Sequence, residues 1–144
     1  MSERGEFLIE LHNICDMGVR STTELLNIIK GKENKIKALL GEELKEYEAA
    51  LKKVKELIDD KSVMGNAGLM AKIGSSIGMH IELLKDNSDT KIADMLIQGY
   101  TMGLLEVTKL LKKYKDFIGK EEKKIALEIK DFHNKNISEL KKYL

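Results

Sequence analysis

Apolar residues recur along this chain at steps of three and four, and the pattern predicts five helices. The most apolar stretch, TKIADMLIQGYTMGLLEV at 90–107, opens a helix over about 90–117 with Ser88 or Asp89 as its N-cap. Its predicted inner face carries Ile92, Leu96, Gly99, Gly103, Val107, Leu110 and Tyr114. Met95, Ile97, Met102, Leu104 and Leu105 spread apolar surface around it, which predicts contacts on more than one side. Before it, Phe7, Leu11, Ile14, Gly18, Thr22, Leu25 and Ile29 mark a helix over about 6–30, closed by Gly31. A short turn leads to a helix over about 33–59, striped by Ile36, Leu40, Glu43, Tyr47, Ala50 or Leu51, Val54 and Ile58. A glycine- and methionine-rich helix over about 66–85 carries Met70, Ile73, Ile77, Ile81 and Leu84. The last helix, over about 120–143 after Gly119, places Ile125, Ile129, Phe132, Asn136, Leu140 and Tyr143 on one face.

Composition strengthens the helical reading. The chain has no proline, and 34% of its residues are charged, as long solvated helices require. Its 144 residues suit one domain, 1–144. A net charge of +1 sets up no field demanding nucleic acid. The lysine runs at 109–115 and 120–124 sit in a chain without the strong net charge of a nucleic-acid binder and read as solvated faces. The single Cys15 excludes an internal disulfide and fits a reducing cytoplasm, where it reads as an inert packed thiol. The first residues form no signal peptide, and Asp94, Gln98 and Glu106 interrupt the apolar stretch before it could span a membrane.

Two long hairpins joined by some thirty residues predict four helices in up-down-down-up order with one long crossover holding an extra helix. LHNICDMGVRSTTELLNII followed by GEELKEYEAALKKVKELI resembles the first hairpin of small bacterial ferritin-like proteins. GLMAKIGSSIGMHIELL, KIADMLIQGYTMGLLEVTKLLKKYKD and FHNKNISELKKYL resemble a family of that superfamily, with IADMLIQGYTMG the most distinctive string. The resemblance implies an all-α, antiparallel four-helix bundle more strongly than it implies an activity.

Di-iron proteins of that fold draw one Glu from each of two helices and Glu-x-x-His from each of the others. No Glu-x-x-His occurs here; His12, His80 and His133 all stand outside such a pattern, and His80 and His133 read as surface or boundary residues. Counting from the turns at Gly31 and Gly119, Asn136 lies near Gly99 or Tyr100, and the layer where metals would sit reads Gly18, Glu43, Gly99 and Asn136. Gln98, Asp131 and Asn134 have suggestive spacing, but Asp131 and Asn134 point away from their helix's apolar stripe. Glu43 and Asn136 therefore read as core polar groups bonded to Tyr47, Tyr100 or each other. Gly18, Gly99 and Gly103 read as sites of close helix packing.

Three functions remain in view. The first is a structural or interaction module without enzymatic activity or cofactor, a homodimer or a binder of another protein through the 90–117 helix or the crossover. The second is a divergent oxidoreductase holding iron or manganese through Glu43, Glu46 and Glu139. The third is a peripheral membrane module through residues 66–85, disfavoured by the low charge of that segment.

Overall fold

The computed structural model describes residues 2–59, 83 and 85–144. They are helical, with no strand among the described residues. Helix α1 spans Glu3–Ile28 and starts earlier than the apolar pattern does. Its start is fixed by Ser2, whose Oγ accepts from the Gly5 N–H at 3.0 Å, with Glu3 and Glu6 at the positive end of the helix dipole. Gly31, at φ +82°, then turns the chain in a backbone conformation that side chains resist.

Helix α2 spans Lys37–Leu57, beginning later than expected because the preceding residues serve a tertiary turn. Asn34 Nδ2 donates to the Asn87 carbonyl and to Asp89 Oδ1, both at 2.9 Å, and the Lys35 N–H donates to Asp89 Oδ2 at 3.0 Å. Helix α3, Asp89–Lys113, follows the Ser88 cap, whose Oγ accepts from the Lys91 N–H at 3.2 Å. It stops short of residue 117, where the Phe117 N–H turns back to the Tyr114 carbonyl at 2.9 Å. Helix α4, Lys120–Leu140, gives way to a 3-10 turn at Lys141–Tyr143. The expected helix at 66–85 lies outside the described residues apart from Leu83 and Lys85.

Helix α1 packs on α2 and α3, and α4 packs on α3 and α2. The directions follow from contacts at the ends. Arg4 reaches Asp59 at 3.3 Å, and the Phe7 ring meets that of Tyr114 with centroids 5.9 Å apart. The start of α1 thus lies beside the ends of α2 and α3. Lys53 pairs with Glu128 at 3.4 Å and Lys135 with Glu46 at 2.8 Å, so α2 and α4 are antiparallel. Thr90 Oγ1 donates to the Tyr143 carbonyl at 3.1 Å, which sets α3 antiparallel to α4.

Two apolar clusters fill the interior. Phe7, Leu11, Val54, Val107 and Ala126 belong to one; Leu25, Ile36, Leu40, Ile92 and Leu140 belong to the other, with Leu83. Each fully buried Leu, Ile or Phe contributes about 1.5–3 kcal/mol of transfer free energy. Two positions differ from the sequence reading. Helix α3 turns Tyr100 inward and leaves Gly99 exposed, because a tyrosine buries far more area at the centre than a glycine can. Among the described residues, a Cβ on Gly99 would meet no atom within 4 Å, so none of them packs closely against it. On α4, the buried stripe runs Glu122, Ala126, Ile129, His133, Asn136 and Leu140, so His133 is a core residue and not a boundary one.

Candidate functional site

Where the two clusters meet, the four helices bring polar side chains into the interior. Helix α2 supplies Glu43 and Tyr47, α3 supplies Tyr100, and α4 supplies Phe132, His133 and Asn136. Helix α1 supplies Gly18, against which the Tyr47 ring lies so closely that a Cβ would overlap it. Gly103 does the same for His133: a Cβ there would come within 2.6 Å of the ring's Cε1. These two glycines are holes into which rings fit, and the rings decide the helix spacing.

The rings stack in a fixed order. Tyr47 and Tyr100 lie parallel, 5.6 Å apart and 5° from coplanar, while Phe132 meets Tyr47 edge-on at 4.7 Å. Such arrangements add to plain area burial because ring edges and faces carry opposite partial charge. Their polar ends are joined as well. The Tyr100 hydroxyl donates to Glu43 Oε1 at 2.6 Å and accepts from Asn136 Nδ2 at 3.2 Å. The Tyr47 hydroxyl is 2.9 Å from His133 Nε2, donor or acceptor according to the imidazole tautomer. Among the described residues, Glu43 Oε2 and His133 Nδ1 have no hydrogen-bond partner.

Burial governs the protonation of this layer. It pushes the Glu43 carboxyl up to about 7; the Tyr100 bond opposes this, the charges of Glu46 and Glu139 reinforce it, and Lys135 works against it. Burial holds the His133 imidazole down to about 4, so it is neutral near pH 7. Burial likewise raises both tyrosine hydroxyls far above their ordinary range. The layer is built to hold neutral groups.

No family model matches the chain, and no curated protein or solved structure resembles it significantly.

The remaining candidates lie apart from the layer. Glu46 is ion-paired to Lys135 at its edge, and Glu139 pairs with Lys142 at 3.3 Å, each carboxylate partly in water. Among the described residues, no group of three or more His, Cys, Asp or Glu side chains is placed to hold a metal ion. Gln98, Asp131 and Asn134 are exposed. Cys15 is fully buried, and burial, with the charge of Asp16, pushes its thiol up to about 12, which leaves little thiolate. His80 lies outside the described residues. Among the described residues, no helix is long and apolar enough to cross a membrane.

The sequence reading missed His133 and the ion pair at the bundled ends of α1 and α4. There Glu122, 5% exposed, accepts from Arg4 Nε at 2.5 Å. Burial opposes its ionisation, but Arg4 and the backbone N–H groups at the start of α4 hold its carboxyl below the usual range. The signal for both residues was the step from 122 to 126, 129, 133 and 136, which is helical but reads as polar wherever it is scored by hydropathy alone.

Proposed function

We propose that this chain is a single-domain, ferritin-like four-helix bundle acting in the bacterial cytoplasm as a non-enzymatic structural or protein-interaction module. The pairing of α1 with α2 and α3, and of α4 with α3 and α2, supports an up-down-down-up order in which residues 58–88 form the crossover. The observation that carries the function is the central layer. A metal centre for oxygen chemistry needs several ionised carboxylates and imidazoles converging on open positions. This layer has one carboxylate, titrating at about 7 and bonded to a tyrosine, beside rings that fit into glycine holes. Apart from Glu43 Oε2 and His133 Nδ1, its polar groups bond to each other, and those bonds favour one packing of the helices.

A second reading, iron or manganese held by Glu43, Glu46 and Glu139, draws on one observation. The charges of Glu46 and Glu139 both act on Glu43, so a cation would relieve their repulsion. Metal content separates the two. After exposure to ferrous iron and manganese and removal of excess ion, the chain is expected to retain well under one metal per molecule, with its melting temperature indifferent to chelator. Tight stoichiometric metal that disappears in Glu43→Ala would overturn the proposal in favour of the metal reading. The membrane reading rests on residues 66–85, which fall almost wholly outside the described residues.

A further inference from the structure

The outward face of α3 is apolar at its middle. Met102 is 68% exposed and Leu105 54%, and both project from a helix whose opposite side is fully engaged in the core. Gly99 lies one turn before Met102, exposed, and a Cβ on it would meet none of the described residues within 4 Å. Glycine weakens a helix interior, and Gly18 and Gly103 each return that cost by admitting a ring. Gly99 has no such return among the described residues. It does leave a notch beside two projecting apolar side chains, the surface a second helix needs for close approach.

The charges on the stripe indicate what that helix is. Asp94, Gln98, Met102, Leu105 and Lys109 follow one another at steps of four and three, all exposed. Asp94 and Lys109 stand equally far on either side of the Thr101–Met102 peptide, and so do Gln98 and Leu105. The stripe is therefore acidic at one end, apolar in the middle and basic at the other. Turned end for end, it complements itself. Gln98 Nε2 donates to Asp94 Oδ2 at 3.3 Å and Lys109 Nζ lies 3.5 Å from Glu106 Oε1; both contacts are exposed and exchange readily with water.

We propose that α3 pairs through this stripe with α3 of a second copy of the chain, antiparallel about a two-fold axis passing beside Thr101 and Met102. Asp94 of each copy then faces Lys109 of the other, and Gly99 receives an apolar side chain from across the interface. An isologous contact of this kind closes on itself and gives a dimer, not a filament. Helices crossing at about 20° or more diverge beyond the charged pairs, so Lys91 of one copy and Lys112 of the other stay apart. The inference rests on the reading of this chain as an interaction module and names its partner.

Sedimentation velocity on the full chain, from about 1 μM to about 1 mM, tests it. The expected result is a reversible monomer–dimer equilibrium that Met102→Lys weakens at least about tenfold, with helicity by circular dichroism unchanged. Asp94→Lys and Lys109→Asp should each weaken the dimer about threefold or more, and the two reversals together should restore it. A chain that stays monomeric over the whole range overturns the proposal, as does a dimer indifferent to Met102→Lys or charge reversals that fail to rescue each other. A monomer whose melting temperature falls in Met102→Lys overturns it too, because the stripe is then covered by the chain's own residues 60–82. The metal measurement above fails or succeeds independently, so loss of the dimer and loss of the module reading are told apart.

Discussion

Glu43 and His133 are buried within one layer, and folding removes the charge from both. In the unfolded chain, Glu43 is ionised above about 4.5 and His133 is protonated below about 6.5; in the fold these limits move to about 7 and about 4. The raised carboxyl gives stability that is complete below pH 4.5 and lost as pH rises through 7. The depressed imidazole gives stability that is complete above pH 6.5 and lost as pH falls through 4. Between 4.5 and 6.5 the two slopes have opposite sign and cancel, so the contribution of this layer to stability is nearly flat there. Single substitutions expose each slope. Glu43→Gln, which keeps an acceptor for Tyr100, should lose about 3 kcal/mol on acidification from pH 6.5 to 4; His133→Gln should lose about as much as pH rises from 4.5 to 7. Urea titrations across that range measure both, and parallel profiles for the two variants would sink the account. Glu43 and Asn136 could be read from the sequence because each interrupts an apolar stripe. His133 could not, because a histidine beside Ile129 and Phe132 looks like the polar margin of that stripe. Its burial depends on Gly103, thirty residues away in sequence but adjacent in space on another helix.

At the scale of elements, three glycines in helices divide into two outcomes. Gly18→Ala and Gly103→Ala push a methyl group into the Tyr47 and His133 rings and should each cost about 1–3 kcal/mol, whereas Gly99→Ala enters open space and should stabilise the monomer by up to about 1 kcal/mol. Melting curves at a dilution that leaves the chain monomeric check all three, and a destabilising Gly99→Ala would contradict the exposed position of that residue. The helix ends follow the same division between local and tertiary causes. Ser2 and Ser88 act through local capping and were visible as cap residues or could have been. The start of α2 was not, because Asn34 and Lys35 are held by Asp89, fifty-odd residues away. Asp89→Ala frees the Lys35 N–H and leaves Asn34 only its bond to the Asn87 carbonyl, which should cost about 1–2 kcal/mol, with faster amide exchange at 34–36 than in the parent. Protection unchanged at those amides would show that the turn holds itself.

Over the whole molecule, the Gly31 and Gly119 turns made two hairpins legible, while their mutual packing depended on ring contacts that periodicity does not encode. A heptad-like stripe specifies which side of a helix is buried but leaves its rotation uncertain by one position, and that position separated Gly99 from Tyr100. The stack that settles the rotation also has an optical consequence. The chain has four tyrosines and no tryptophan. Two of the phenols donate to carboxyl groups, Tyr100 to Glu43 and Tyr114 to Glu6 and Glu10 at 3.3 and 3.2 Å, and Tyr47 is hydrogen-bonded to His133. An excited phenol is a much stronger acid than one in its ground state and sheds its proton to such acceptors, which darkens its emission. The native protein should therefore be dim and should brighten as urea separates the helices, in step with the loss of helical dichroism. Brightening that precedes the loss of helix would mean that the aromatic layer comes apart while the helices persist. The molecule thus carries its own reporter at the one level where all four helices must agree.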